Sequence, residues 1–266
     1  MEVLYGIHPV EEAIRSASRQ LDHISVAQQR DARRDARLEA VITLARAAKI
    51  RISIEPRDQL TRLARTDAHQ GVLAIIRERQ FLAVEDLLAL PGNPRFFLAL
   101  DGVEDPHNLG ALIRTADGAG VDGILLPERR SAPITATVAK TSAGASEHVR
   151  IARVTNLVRA LEQMKKANIW IVGLDERGSH DYTDYDFSTD TVLVLGREGA
   201  GLHDLVRKTC DHLLRIPMAG QVSSLNVSVA GAVVMYEALR QRRVRSVQQK
   251  HEATTKRPKE RRGLGS

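Results

Sequence analysis

Rings are scarce in this chain of 266 residues: aromatic side chains make up 3%, and Trp170 is the single tryptophan. A module that reads single strands by stacking bases on aromatic platforms needs more of them. If RNA is bound, phosphate contacts and shape must dominate. Cys210 is the sole cysteine. That excludes a disulfide framework and a cysteine-built zinc or iron–sulfur site, and it fits a reducing cytosol. No metal site is expected. No apolar run reaches the roughly 20 residues that a membrane helix needs. The most apolar late stretch, Val227 to Leu239, is interrupted by Ser228 and Glu237. The opening MEVLYGIHPVEEAI carries acids early and lacks a signal-peptide core. A soluble, cytoplasmic protein is the expectation. The glycines of GREGAGL, Gly196, Gly199 and Gly201, are not spaced as G-x-G-x-x-G, and no Walker spacing exists, which argues against a nicotinamide dehydrogenase or a nucleoside-triphosphate enzyme.

What is present is ordinary in bulk and uneven in charge. Hydrophobic residues at 43% and charged residues at 27% suit a globular core of one large or two smaller domains. The formal charge of +6 points to a polyanionic partner. From Arg240 to Ser266 the chain holds ten Lys/Arg and two Glu. A tail of +8 within that total leaves the preceding body near −2. Such a tail reads as a disordered solubilising end or as a phosphate-binding arm, and the remaining features favour nucleic-acid contact.

Residues 1–76 read as a small α/β unit. Pro9 to Ser16 and Asp35 to Lys49 have helical spacing, and His23 to Ala27, Arg51 to Ile54 and Val72 to Ile76 read as strands. Residues 77–94, ending in PGNP, are expected to be a linker. Beyond Arg95 strands and helices alternate, starting with the apolar run Phe96 to Leu100, so residues 95–242 are predicted to form a mainly parallel α/β sheet. Residues 243–266 are expected to be a basic, disordered tail.

Three segments end strands with Gly, Pro, Asn or Ser turns: DPHNLGALIRTADGAGVDGI, LVLGREGAGL and RIPMAGQVSSLNVSVAGAVVMYEAL. Ligands of open α/β sheets gather at the carboxyl ends of strands, so three such turns suggest one composite pocket. Taken singly, each residue has an ordinary explanation. Asn108 could be a helix N-cap, Arg114 a surface residue, and Glu198 a solvated turn acid. The third segment resists that treatment, because Ser223, Ser224 and Asn226 supply more hydrogen-bonding groups than one cap requires.

The three segments resemble the signature motifs of the SpoU/TrmH family of RNA ribose 2′-O-methyltransferases. Asn108, Gly110 and Arg114 match N-x-G-x-x-x-R, Gly196 to Gly201 match G-x-E-G-x-G, and Ile216 to Ala230 match I-P-M…S-S-L-N-V-S-V-A. YGIHPVEEAI and HQGVLA also look like the N-terminal RNA-binding domain of bacterial enzymes that methylate a 23S rRNA guanosine. The resemblance implies an α/β-knot (SPOUT, trefoil-knot) fold, threaded through itself near the C-terminus, and a homodimer paired through the knotted domains. It implies S-adenosylmethionine as cofactor, bent against backbone near Gly196, Ile216 and Leu225. The RNA partner would be 23S rRNA, at a peptidyl-transferase P-loop guanosine; no membrane or DNA partner is implied. Asn108, Arg114, Glu198, Ser224 and Asn226 match the family's catalytic positions. Arg197 departs from the pattern, since many relatives carry a small residue there. A tRNA or other-site rRNA methyltransferase, or a silent ribosome-assembly protein on the same fold, are the alternatives.

Overall fold

The computed structural model describes residues 1–16, 21–28, 36–77, 79–92 and 94–255, with side chains up to Gln248. Its first unit is built from β1 (Glu2–Tyr5), α1 (Ile7–Ser16), β2 (Leu21–Ala27), α2 (Ala36–Ala47), β3 (Arg51–Glu55), α3 (Arg57–Ala64) and β4 (Val72–Ile76). The strands form one mixed sheet in the order β1-β4-β2-β3. Val10 and Ile14 of α1 and Val41, Ile42 and Ala45 of α2 are buried with Ile24, Val72 and Ala74. Their spacing of three and four residues places them on one helix face. Two elements escape the sequence pattern. β1 has only four residues, and α3, RDQLTRLA, buries Leu60 alone.

The turn before β4 centres on His69, which is fully buried. Gly71 N–H donates to its Nδ1 at 3.1 Å, so the ring proton sits on Nε2, 3.2 Å from Thr61 Oγ1. Burial, and then the charge of Arg57, hold the pKa of His69 below its ordinary 6.5. The native imidazole therefore binds a proton less readily than the unfolded chain does. Its stabilising contribution is complete above about pH 6.5 and is lost as pH falls through the depressed folded value. Urea titrations at pH 7.5 and 5.5 should show the wild type losing more stability on acidification than His69→Gln. Equal losses would contradict this.

The second unit comprises α4 (Val84–Leu88), β5 (Phe96–Leu100), α5 (Pro106–Gly118), β6 (Gly123–Pro127), α6 (Ala136–Thr141), β7 (Ile151–Val154), α7 (Leu157–Lys166), β8 (Trp170–Leu174), β9 (His180–Asp181), β10 (Thr191–Leu195), α8 (Asp204–Thr209), β11 (His212–Arg215) and α9 (Val227–Thr255). Its seven strands are ordered β7-β6-β5-β10-β8-β11-β9, and every ladder is parallel. Parallel strands need helices on both faces, and the strand period of two divides the side chains between them. Phe96, Leu98 and Leu100 pack with Leu112 and Ile113 of α5 and Val234, Met235 and Ala238 of α9. Phe97 and Ala99 pack with Leu87 of α4, Leu161 and Met164 of α7 and Val206 of α8.

Two boundaries differ from expectation. Residues 77–94 are not a free linker. Leu82 bridges to Ala152 beside β7, α4 buries Val84 and Leu87, and Arg79 pairs with the buried Glu147 at 2.8 Å. The first unit rests on the same region, where Glu12 meets His148 at 2.6 Å and Lys140 donates to the carbonyl of Ala68.

The expected basic tail, residues 243–266, begins inside a helix. Helix α9 continues through residues 243–255, and the remainder to Ser266 lies outside the described residues. Arg242 is an anchor, donating to the carbonyls of Pro94, Arg95, Phe187 and Thr189. It lies over the Phe96 ring at 4.9 Å. Burial lowers its pKa, and its bonds to four carbonyls tie this arginine to the fold. Among the described residues no helix is long and apolar enough to cross a membrane.

Candidate active site

The carboxyl ends of β5, β10, β8 and β11 lie side by side in the sheet, and the turns that follow them form one surface. After β5 the chain turns into α5. Its N-cap is Asp105, whose carboxylate accepts from the N–H groups of His107 and Asn108 at 2.6 and 2.9 Å, with Pro106 opening the helix. The cap expected at Asn108 is thus supplied three residues earlier. That frees the Asn108 carboxamide to face the loop after β10.

There, three side chains from distant parts of the chain close a ring. Asn108 Nδ2 donates to Glu198 Oε2 at 3.1 Å. Asn226 Nδ2 donates to Glu198 Oε1 at 3.0 Å and to Asn108 Oδ1 at 3.0 Å. Asn226 Oδ1 is in turn fixed by the N–H and hydroxyl of Ser228, at 2.9 and 2.6 Å, in the first turn of α9. Both amide hydrogens of Asn226 are engaged. The groups left for a ligand are the second N–H of Asn108 and the spare lone pairs of Glu198.

A half-open cleft adjoins this ring. Gly196, Ile216 and Leu225, the residues expected at a cofactor, all line it, as do Glu198 and Ser224. Its floor is aliphatic, with Leu174, Leu195 and Val227, and its rim carries Asp175, Glu176, Arg177 and Arg207. The loop at residues 197–201 is pinched shut by paired backbone bonds between Arg197 and Gly201, both 3.0 Å. A Cβ on Gly196 would stand 2.3 Å from the Gly201 carbonyl carbon, so only glycine permits the pinch. The aliphatic floor, with three carboxylates and three arginines around it, suits a small, partly apolar organic group that carries both signs of charge.

The structure does not bring every expected residue into the ring. Ser224 is exposed on the cleft rim and makes no hydrogen bond to Asn108, Glu198 or Asn226. Arg114 projects to solvent about 9 Å farther along α5 and has no hydrogen bond or ion pair among the described residues. Sequence reasoning missed Ser228, which looked like helix interior, and the acids Asp175 and Glu176, which looked like a polar loop. Their position directly after a parallel strand was the available signal. Cys210 plays no nucleophilic part: burial pushes its thiol up to about 12, where no thiolate forms at neutral pH. No cluster of metal-ligating side chains occurs among the described residues.

A family model described as SpoU rRNA Methylase matches residues 95–236, and one described as RNA 2′-O ribose methyltransferase substrate binding matches residues 3–82. The chain is 42% identical over 243 residues to the 23S rRNA (guanosine-2′-O-)-methyltransferase RlmB of Pectobacterium atrosepticum, covering 91% of this chain and 98% of that one. It is 40% identical over 242 residues to the RlmB of Bordetella pertussis, with 91% and 98% covered. An AdoMet-bound rRNA methyltransferase from Sinorhizobium meliloti superposes with a TM-score of 0.72 at 27% identity, over 90% of this chain and 87% of that one.

Proposed function

The chain belongs to the SpoU rRNA methylase family, and from that premise we propose that it transfers a methyl group from S-adenosylmethionine to the ribose 2′-hydroxyl of a guanosine in 23S rRNA. The observation that carries this reading is the Asn108–Glu198–Asn226 ring, built from three separate strand ends and set against a glycine-walled cleft. When bound, S-adenosylmethionine supplies a methyl group already activated by a positive sulfonium. The protein must then align the hydroxyl oxygen in line with that methyl and help the oxygen lose its proton.

The cleft residues Gly196, Ile216 and Leu225 would hold the cofactor, whose positive charge the carboxylates of Glu198, Asp175 and Glu176 in the same lining would favour. Asn226 locks the other two members of the ring, so that the free N–H of Asn108 and the hydroxyl of Ser224 orient the ribose. Glu198 fixes both asparagines. Arg114 is not the base, because a guanidinium only donates hydrogen bonds and has no lone pair with which to take the hydroxyl proton. Its role in this reading is to clamp the neighbouring phosphate and to stabilise the alkoxide as charge develops.

The chain threads through itself near the C-terminus, and two copies pair through this knotted unit in the cytoplasm. Support for pairing comes from Val229 and Tyr236, apolar side chains about half exposed on α9. The experiment that tests the function is a map of 2′-O-methyl positions on rRNA and tRNA from cells with and without the protein. Loss of one guanosine methyl in 23S rRNA is expected. Loss confined to tRNA would redirect the substrate, and an unchanged map would refute the proposal.

A further inference from the structure

Next to the ring, where the loop after β10 meets the turn after β5, two arginines flank one histidine. Arg197 stands between Gly196 and Glu198, and its stem crosses the backbone at Gly102, just past β5. A Cβ at Gly102 would sit 2.6 Å from Arg197 Cγ, 3.0 Å from its Cδ and 3.3 Å from His203 Cε1. The groove exists because residue 102 has no side chain. Within it the Nε of Arg197 is buried with no hydrogen-bond partner, and its guanidinium makes no ion pair among the described residues. An arginine keeps its charge at any working pH, and one already held in place gives up little further freedom when it meets an anion.

The second arginine, Arg130, lies in the turn after β6. Its Nη1 is 3.4 Å from His203 Nε2. A guanidinium only donates, so Nε2 accepts and the imidazole proton sits on Nδ1. Nδ1–H donates to Asp101 Oδ1 at 2.9 Å, and the backbone N–H of His203 donates to Asp101 Oδ2 at 2.7 Å. Asp101 is buried and holds the imidazole in place between the two arginines. Arg130 is held there in a left-handed backbone conformation, φ +58°, that few non-glycine residues adopt. Arg129 beside it is exposed. Glu104 and Glu128 occupy the same turns but form no ion pair with these arginines.

We propose that Arg197 and Arg130, braced by Gly102 and by the His203–Asp101 pair, bind a phosphodiester of the RNA strand next to the methylated ribose. This inference rests on the reading of the protein as an RNA ribose methyltransferase. Planar guanidinium forks match phosphate oxygens two at a time, and a fixed pair beside the ring would set the register of the strand. One other anion could claim Arg197, because this residue also lines the cleft: the carboxylate on the amino-acid end of the cofactor.

The test uses the full chain, an RNA fragment carrying the methylated site, and the variants Arg197→Gln, Arg130→Gln and Arg197→Lys. Each Gln variant should bind RNA about tenfold more weakly at physiological salt. The slope of log affinity against log salt should flatten by about 0.7–0.9 for each lost contact. The loss should fall on KM far more than on kcat, while S-adenosylmethionine affinity by calorimetry stays within about twofold. Arg197→Lys, which keeps stem and charge, should retain the wild-type slope with part of the affinity lost, and it remains informative if a Gln variant fails to fold. An unchanged slope in the Gln variants, or a flattened slope in Arg197→Lys, would overturn the proposal. So would cofactor affinity falling while RNA binding holds, which would assign Arg197 to the cofactor's carboxylate. If the wild type binds RNA yet transfers no methyl, the functional reading fails, and the salt slopes still decide the phosphate contact.

Discussion

Glu198→Gln should lower kcat by about 10²- to 10³-fold, with RNA and S-adenosylmethionine affinities changed little by comparison. The reason is the direction of the hydrogen bonds. Glu198 accepts one amide proton from Asn108 and one from Asn226, through its two oxygens. Glutamine offers one acceptor and one donor, so one asparagine must turn its carboxamide round or lose its partner. A turned Asn108 would also meet Asn226 Nδ2, which now donates to Asn108 Oδ1, with a donor instead of an acceptor. Three side chains change orientation through one atom. Stability should hardly move, since Glu198 is exposed and pairs only within the ring. Single-turnover kinetics with donor and RNA saturating would check this. A rate within threefold of wild type would show that the ring does not orient the reacting groups.

The second large effect is expected at Arg114. Arg114→Lys should reduce turnover by about 10²-fold at neutral pH, although the charge is kept. Lysine is a compact point donor and cannot grip a phosphate oxygen pair in one plane while also meeting the ribose oxygen. The same variant separates two mechanisms. A lysine has a far more accessible pKa than arginine. If residue 114 were the proton acceptor, the variant would gain rate as pH rises towards the lysine range and would surpass the wild type there. A clamp shows no such crossover. Arg114 has no partner among the described residues and stands about 9 Å along α5 from Asn108, so its work must be done on RNA or across a subunit contact. Near-normal turnover in Arg114→Lys with equal RNA binding would exclude a bidentate clamp.

How much of this was legible beforehand differs from element to element. Strand and helix alternation after Arg95 was plain because parallel strands buried on both faces are continuous apolar runs, as in Phe96 to Leu100. The convergence of Asn108, Glu198 and Asn226 followed from one rule about strand ends, together with the motif resemblance. The order of strands was not legible. β10 enters between β5 and β8, and nothing in local spacing encodes which neighbours a strand will find. The cap at Asp105 was hidden because both Asp105 and Asn108 have capping side chains, and only the backbone geometry chooses between them. The basic run after Arg240 misled for a different reason. A formal charge count does not distinguish Arg242, sunk among four carbonyls, from a solvated arginine. Helix α3 and strand β1 were missed because neither repeats an apolar position often enough to show a period. The contacts of Arg197 with Gly102 and of His203 with Asp101 join residues about a hundred positions apart and have no sequence signature.

On the proposed function, the ring presents a ribose hydroxyl to the donor in the adjoining cleft. The most direct measurement supplies the wild-type protein with methyl-labelled S-adenosylmethionine and a 23S rRNA fragment, digests the product to nucleosides and locates the label. Label on the 2′-oxygen of guanosine, abolished when that position is 2′-deoxy, is the expected result. Label on a base, or transfer that persists to the 2′-deoxy substrate, would contradict it.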